Sequence, residues 1–416
     1  MDILKLQNYF FSSSSFLILG QVFFSFTNIS LAIFISSFWD LGYFGFFSFY
    51  LLVSVLISKI ITASLIEPAV SISAKYSWNK KMSYFRGLLI WFLIISIIFF
   101  LLGFYMLPIL KNIFNVSDYL TNPKILFFLF SSFLIEINRG GIQAFSKAKY
   151  LFTFDCLRFL IFISVMIYFL LRFNFSGTPN AFQEFVMFIT IINIFLGTAL
   201  FILVLSGGKG LKSYIKPSSK QLLMSRNAVT IAVLNYSHVN APLYFAQLLL
   251  GQELFGLIRL CQSLANATSL PFRAMRYRLM SSGSSVNYER GNAGLKVFIL
   301  ERLRVIFILS FFVGSLIFLI SFFGDIEEIS KDFLIILFLF ILVSLSSVVS
   351  GTLLTTFYSK GELNSALLMM FSCALISLII SPILIFALGE FGVPISKIII
   401  LCIVTLYAFK YLQREI

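Results

Sequence analysis

A chain of 416 residues that is 59% hydrophobic and only 12% charged, with a mean hydropathy of +0.99, is not a soluble domain. Its apolar stretches are too long and continuous for the alternating strands of an outer-membrane barrel, so it reads as an all-α polytopic membrane protein. A net charge of +14 would suggest nucleic acid in a soluble protein, but here it has a plainer source in the loops.

In chain order, "MDILKLQN" leads into an apolar stretch with no small-residue cleavage site, so it opens the first span rather than a signal peptide. Twelve spans follow, at roughly 10–38, 41–66, 84–110, 124–146, 151–172, 182–206, 222–249, 251–274, 297–323, 333–358, 363–388 and 391–411. With both termini cytoplasmic, the cytoplasmic segments hold 23 of the 31 Lys and Arg. Five fall in external loops (Lys111, Lys124, Arg172, Lys331, Lys397) and three within spans (Lys59, Arg158, Arg259). This positive-inside bias accounts for most of the net charge and orients the chain in a cell inner membrane. The basic stretches 209–220 and 273–296 read as cytoplasmic loops open to anionic lipid. The 53 phenylalanines read as lipid-facing filler.

The spans repeat. "FGFFSFYLLVSVL" (44–56) and "FGLIRLCQSLANA" (255–267) both open on Phe-Gly, 211 residues apart, about half the chain. Each half then has six spans, which gives two lobes of the same orientation around a central cleft, the parallel-repeat plan of several transporters. The expected division is an N-terminal lobe over 1–206, a basic inter-lobe linker over 207–221 and a C-terminal lobe over 222–416.

The eighth span carries a polar stripe. Arg259, Gln262, Ser263, Asn266, Ser269 and Arg273 share one face of a continuous helix. A central Arg costs about 2.5–3.5 kcal/mol on the lenient insertion scale, so the stripe faces water or a partner. An offset of 211 places Lys59 of the second span on the corresponding face, so Arg259 and Lys59 are expected in one cleft. The first span of each half is polar on one side: Ser14, Gln21, Ser25 and Asn28 in one, Asn227, Thr230, Asn235, Ser237 and His238 in the other. Pro242 is expected to kink the latter. These polar residues fit cavity lining or interhelical hydrogen bonding.

A second charged group joins spans 4 and 5. Ser132, Glu136, Arg139, Gln143 and Lys147 share a face, and Asp155 and Arg158 open the next span. Glu136–Arg139 and Asp155–Arg158 are i,i+3 pairs. They read either as a structural ion cluster or as an ion-coupling site. His238, the sole histidine, is a further titratable group.

No P-loop, HExxH, paired CxxC or G-x-S-x-G occurs, and the external loops are short. Neither enzyme chemistry, a cofactor nor a metal site is expected. The four cysteines imply no disulfide framework.

The layout of two six-span lobes, the basic inter-lobe loop, the cleft cations and the Leu-Gly-x-x-Gly-x-Phe run at 41–47 resemble the Wzx-type O-antigen and polysaccharide flippases. These belong to the multidrug/oligosaccharidyl-lipid/polysaccharide (MOP, MATE-like) exporter superfamily. The resemblance covers the whole chain in layout. It implies alternating-access translocation of an undecaprenyl-pyrophosphate-linked oligosaccharide, an O-antigen or capsule repeat unit, from the cytoplasmic to the periplasmic leaflet. Arg259, Lys59 and Arg273 would meet the pyrophosphate. Gln21, Ser25, Asn28, Asn235, His238, Gln262 and Asn266 would meet the sugar. Coupling to H+ or Na+ would draw on Glu136, Asp155, Arg139 and Arg158. The implied partners are the lipid-linked oligosaccharide, membrane lipids, a polysaccharide polymerase and a chain-length regulator, with no nucleic acid. A multidrug exporter of the same fold stands as the alternative, although its organic-cation substrates would call for an acidic cavity.

Overall fold

The computed structural model describes residues 3–66, 148–173, 178–206, 219–323, 331–360 and 363–414, with isolated helical positions between 94 and 139. Among the described residues the secondary structure is helical throughout, with no strand. The spans expected over 84–110 and much of 124–146, and the linker residues 207–218, lie outside them.

The N-terminal half contributes α1 (Ile3–Phe38), α2 (Leu41–Ile61) with a π-helical turn at Thr62–Ile66, α3 (Ala148–Arg172) and α4 (Pro179–Ser206). The C-terminal half contributes α5 (Ser219–Leu250), α6 (Gln252–Ala265), a 3-10 turn at Asn266–Ser269 and α7 (Leu270–Phe323). It closes with α8 (Lys331–Lys360), α9 (Leu363–Leu388), a 3-10 turn at Gly389–Phe391 and α10 (Gly392–Arg414).

Seven described helical stretches are long and apolar enough to cross a membrane. The two helices at the start of the C-terminal half, α5 and α6, are not among them. Their polar residues must therefore be covered by neighbouring helices or face a water-filled space.

Local chemistry sets the boundaries. Asp40 caps α2, its carboxylate accepting the Tyr43 N–H at 2.8 Å. Gly251 separates α5 from α6 at φ 84°, a left-handed conformation that a side chain would resist. The stretch 273–296, expected as a loop, is instead helical. It holds no proline after Pro271, and despite Gly283 and Gly294 α7 turns only at Gly291, where φ is 65°.

Within a bilayer, helices associate through close packing rather than through water exclusion. The N-terminal core is built from aromatic rings: Phe34, Phe38, Phe44, Phe47, Phe162, Phe169, Phe182 and Phe185 are all buried. Phenylalanine is thus core material as well as lipid-facing filler such as Phe195, Phe312 and Phe386. In the C-terminal half, α5 packs along α9, and α8 packs along both α7 and α10.

The halves meet chiefly where α2 lies against α6, and α1 also contacts α6 and α7. The α2–α6 seam is reciprocal. A Cβ on Gly45 would collide with the Gln252 carbonyl, and one on Gly256 with the Leu41 carbonyl. Gly45 and Gly256 are 211 positions apart, as are Leu41 and Gln252. The offset read from the sequence repeat is therefore also the offset of this backbone-to-backbone contact.

Candidate functional site

Beyond the seam, α2 continues on the same face. Leu52 is buried in the core cluster of the C-terminal half, and Lys59, seven residues on, shares its direction but is exposed. On α6, Phe255, Ile258, Cys261 and Ala265 bury one side. Arg259 lies between that side and the Gly256 side facing α2, and is half-buried.

The Arg259 guanidinium donates from Nη1 to Gln262 Oε1 at 2.5 Å, while its buried Nε has no hydrogen-bond acceptor among the described residues. It lies within electrostatic reach of Tyr236 and Tyr244 of α5 and of Lys397 of α10. The two tyrosine hydroxyls are 3.1 Å apart, and that of Tyr236 donates to the Leu52 carbonyl of α2, tying α5 to the N-terminal half. Lys397 is 2% exposed, with its Nζ 5.7 Å from the Phe340 ring and no hydrogen-bond partner among the described residues. The sequence had placed Lys397 in an external loop. It instead sits in the second turn of α10, turned into the protein.

The polar stripe is not a single straight face. Asn266–Ser269 wind as a 3-10 turn, advancing about 120° per residue rather than about 100°. Ser269, the last residue of this turn, is therefore buried, and its hydroxyl donates to the Asn266 carbonyl at 2.8 Å. Arg273 is exposed and donates to Asn266 Oδ1 at 3.1 Å. Arg259–Gln262 and Arg273–Asn266 thus form two separate pairs.

The charged group of the N-terminal half closes on itself. Arg139 donates to both carboxylate oxygens of Asp155, at 2.8 and 2.9 Å, and to Gln21 Oε1 at 3.2 Å. Its guanidinium lies 3.4 Å from the centroid of the Phe24 ring. Asp155 is fully buried and Arg139 is 5% exposed. Arg158 is also buried, 4.8 Å from the rings of Phe24 and Phe162. The Arg139–Asp155 ion pair joins two helices, within the group expected to link spans 4 and 5. Glu136, Gln143 and Lys147 lie outside the described residues, as does the side chain of Ser14.

The remaining polar residues disperse. Gln21 and Ser25 are buried, Asn28 is exposed and Asn235 is half-buried. His238 is buried inside the C-terminal half, its Nδ1 3.1 Å from the Leu234 carbonyl. Pro242 lies inside α5 without ending it. Proline has no N–H for the carbonyl four residues back, that of His238, and the Ser377 hydroxyl of α9 donates to this carbonyl at 2.9 Å. A shallow apolar groove is lined by Leu160, Ile161, Ser164, Val165, Tyr168 and Phe188.

Tyr236, Tyr244 and Lys397 are the residues of this region that the sequence reading did not select. The tyrosines passed as apolar, and Lys397 was six residues inside a span yet counted with its loop. Among the described residues no group of His, Cys, Asp and Glu could hold a metal ion.

No protein-family model and no curated sequence matches the chain. Solved structures share its fold. An outward-facing multidrug resistance MATE family transporter of the MOP superfamily is 14% identical over 97% of this chain and 94% of its own, with a TM-score of 0.72. MATE in its straight conformation is 14% identical over 96% and 95%, with a TM-score of 0.69. A MOP superfamily transporter from Pyrococcus furiosus, described by the reverse polarity of its binding pocket, is 15% identical over 97% and 94%, also at 0.69.

Proposed function

We propose that this chain, built on the fold of MATE transporters of the MOP superfamily, is a membrane exporter whose substrate is a lipid-linked oligosaccharide carrying a diphosphate. The supporting observation is Arg259: a guanidinium beside the inter-lobe seam that no carboxylate among the described residues pairs with. An arginine fork binds phosphate oxygens through two parallel hydrogen bonds, and its desolvation is offset when an anion arrives.

In this reading the N-terminal half spans 1–206, the linker 207–221 and the C-terminal half 222–416, with both termini cytoplasmic in a cell inner membrane. The glycine seam then lies at the outer end, and Lys59 lies inward of it. Arg259, Lys59 and Arg273 meet the diphosphate at successive depths. Asn28, Asn235, Gln262 and Asn266 offer amides to the sugar. The Arg139–Asp155 pair, with Arg158 and Glu136, is the place for a coupling proton or sodium ion. The product would be surface polysaccharide, O-antigen or capsule, made together with a polymerase and a chain-length regulator.

A multidrug exporter is the second reading, favoured by what the MATE neighbours are described as doing. The basic interior argues against organic cations, and the Pyrococcus furiosus neighbour offers a precedent for a pocket of reversed polarity on this fold.

The test is expression of wild type and Arg259→Ala in a host that makes the lipid-linked sugar but lacks its own flippase. At matched membrane levels, wild type should restore surface polymer, and the variant should leave the intermediate on the cytoplasmic leaflet, with a loss of tenfold or more, corresponding to about 1.4 kcal/mol. A wild type that moves no lipid-linked sugar but protects cells from cationic drugs would establish the second reading instead.

A further inference from the structure

The two halves are joined along one face of α2. Leu41, Gly45, Phe49 and Leu52 fall at i, i+4, i+8 and i+11, within a narrow arc of that helix. Leu41 and Gly45 meet the backbone of α6. Phe49 and Leu52 meet α5 instead. The Tyr244 ring stands at 90° to that of Phe49, with centroids 6.1 Å apart, and the Tyr236 hydroxyl donates to the Leu52 carbonyl. All four contacts cross from one half to the other. They run over about 16 Å of helix, roughly half the thickness of a bilayer's hydrocarbon core. Beyond Leu52 the face opens: Val55 is 39% exposed, and Lys59 is exposed.

We propose that Tyr236 is the clasp of the inter-lobe cleft: its bond to the Leu52 carbonyl holds the Leu41 end of α2 against the C-terminal half, and transport requires that bond to break. Tyr236 is 5% exposed and has a single hydroxyl proton. That proton goes to Leu52, so in the 3.1 Å contact between the two tyrosine hydroxyls Tyr244 is the donor. The bonds form a relay from Tyr244 to Tyr236 to Leu52, in which each polarises the next. The Leu52 carbonyl lies inside α2 and keeps the helical N–H of Leu56 whether or not Tyr236 is there. Release therefore leaves no broken helix behind on the α2 side. The apolar contacts around Phe49 and Leu52 supply adhesion, and the hydroxyl adds a bond of fixed direction that forms in one arrangement of the halves. The clasp rests on the exporter reading only in requiring the halves to part; the identity of the substrate does not enter it.

The experiment measures the distance between spin labels at Ser37→Cys and Glu253→Cys, both exposed and one in each half, in the purified full chain in lipid nanodiscs without substrate. Cys156 and Cys402 are replaced by serine, and the buried Cys261 and Cys373 are retained. Tyr236→Phe keeps the ring beside Tyr244 and removes only the hydroxyl. It should raise the longer-distance population roughly two- to tenfold. Tyr244→Phe, which spares the Leu52 bond, should raise it less. A Tyr236→Phe distribution identical to wild type, with or without a lower unfolding midpoint, would overturn the proposal, because a hydroxyl that serves folding alone moves only the midpoint. A larger shift in Tyr244→Phe than in Tyr236→Phe would overturn it as well. Should Tyr236→Phe fail to fold, Tyr244→Phe decides: a raised longer-distance population supports the clasp, and an unchanged one overturns it. No lipid-linked sugar is present, so failure of the diphosphate reading and failure of the clasp are separate results.

Discussion

Arg139 and Lys397 are both buried cations on membrane helices, at 5% and 2% exposure, and the two halves treat them in opposite ways. The N-terminal half surrounds Arg139 with a bidentate carboxylate, an amide and an aromatic face, so its charge is settled within the fold. The C-terminal half gives Lys397 an aromatic ring but no described acceptor. The contrast separates structure from function. A buried charge whose partners are all protein holds helices together, whereas one left without an acceptor is poised for something that comes and goes.

The comparison breaks most sharply at Asp155. Asp155→Ala leaves Arg139 buried without its carboxylate and should cost about 3–5 kcal/mol of stability. Lys397→Met should cost little by comparison, since it removes a charge that has an aromatic ring beside it but no hydrogen-bond acceptor among the described residues. Urea unfolding of both variants in detergent measures the difference. If the two losses were equal, the halves would not differ in the way described.

The seam gives the next effect. Gly256→Val or Gly45→Val would drive a side chain into a backbone carbonyl of the other half. Overpacking of that kind costs about 1–3 kcal/mol, so the α2–α6 contact should be disfavoured by roughly tenfold or more. Each variant should reach the membrane at wild-type levels and export poorly, as surface polymer at matched expression would reveal. Because the contact is reciprocal, the two substitutions should act alike.

Ser377→Ala sharpens the comparison at its finest scale. It strips the donor from the His238 carbonyl that Pro242 leaves open. The expected loss is about 0.6–1.7 kcal/mol, read as a small drop in the unfolding midpoint.

Much of this was legible in residue order. Long apolar runs mark the helices, and the Phe-Gly repeat marks a pseudo-symmetry that the Gly45–Gly256 seam displays at the same offset. Arg259 drew attention because an isolated charge in an apolar run has few explanations. Lys397 did not, because a lysine near a helix end ordinarily snorkels to water, and its burial depends on Phe340, 57 positions earlier in the chain. The Arg139–Asp155 pair was legible as part of one charged network, because a short connection makes spans 4 and 5 neighbours, but which arginine meets which acid depends on packing. The stripe after Ala265 turned because a local 3-10 winding breaks the phase on which periodicity relies.

The glycine seam also bears on speed. Where Gly45 and Gly256 meet carbonyls, the two backbones touch with no side chain between them, although Phe49 and Leu52 further along α2 pack into the C-terminal core. Backbone contacts of this kind are worth only about 0.5–1 kcal/mol each. At those two points the halves would part and rejoin without a side-chain rearrangement of their own, and the resistance to separation would come from the packed side chains further along α2.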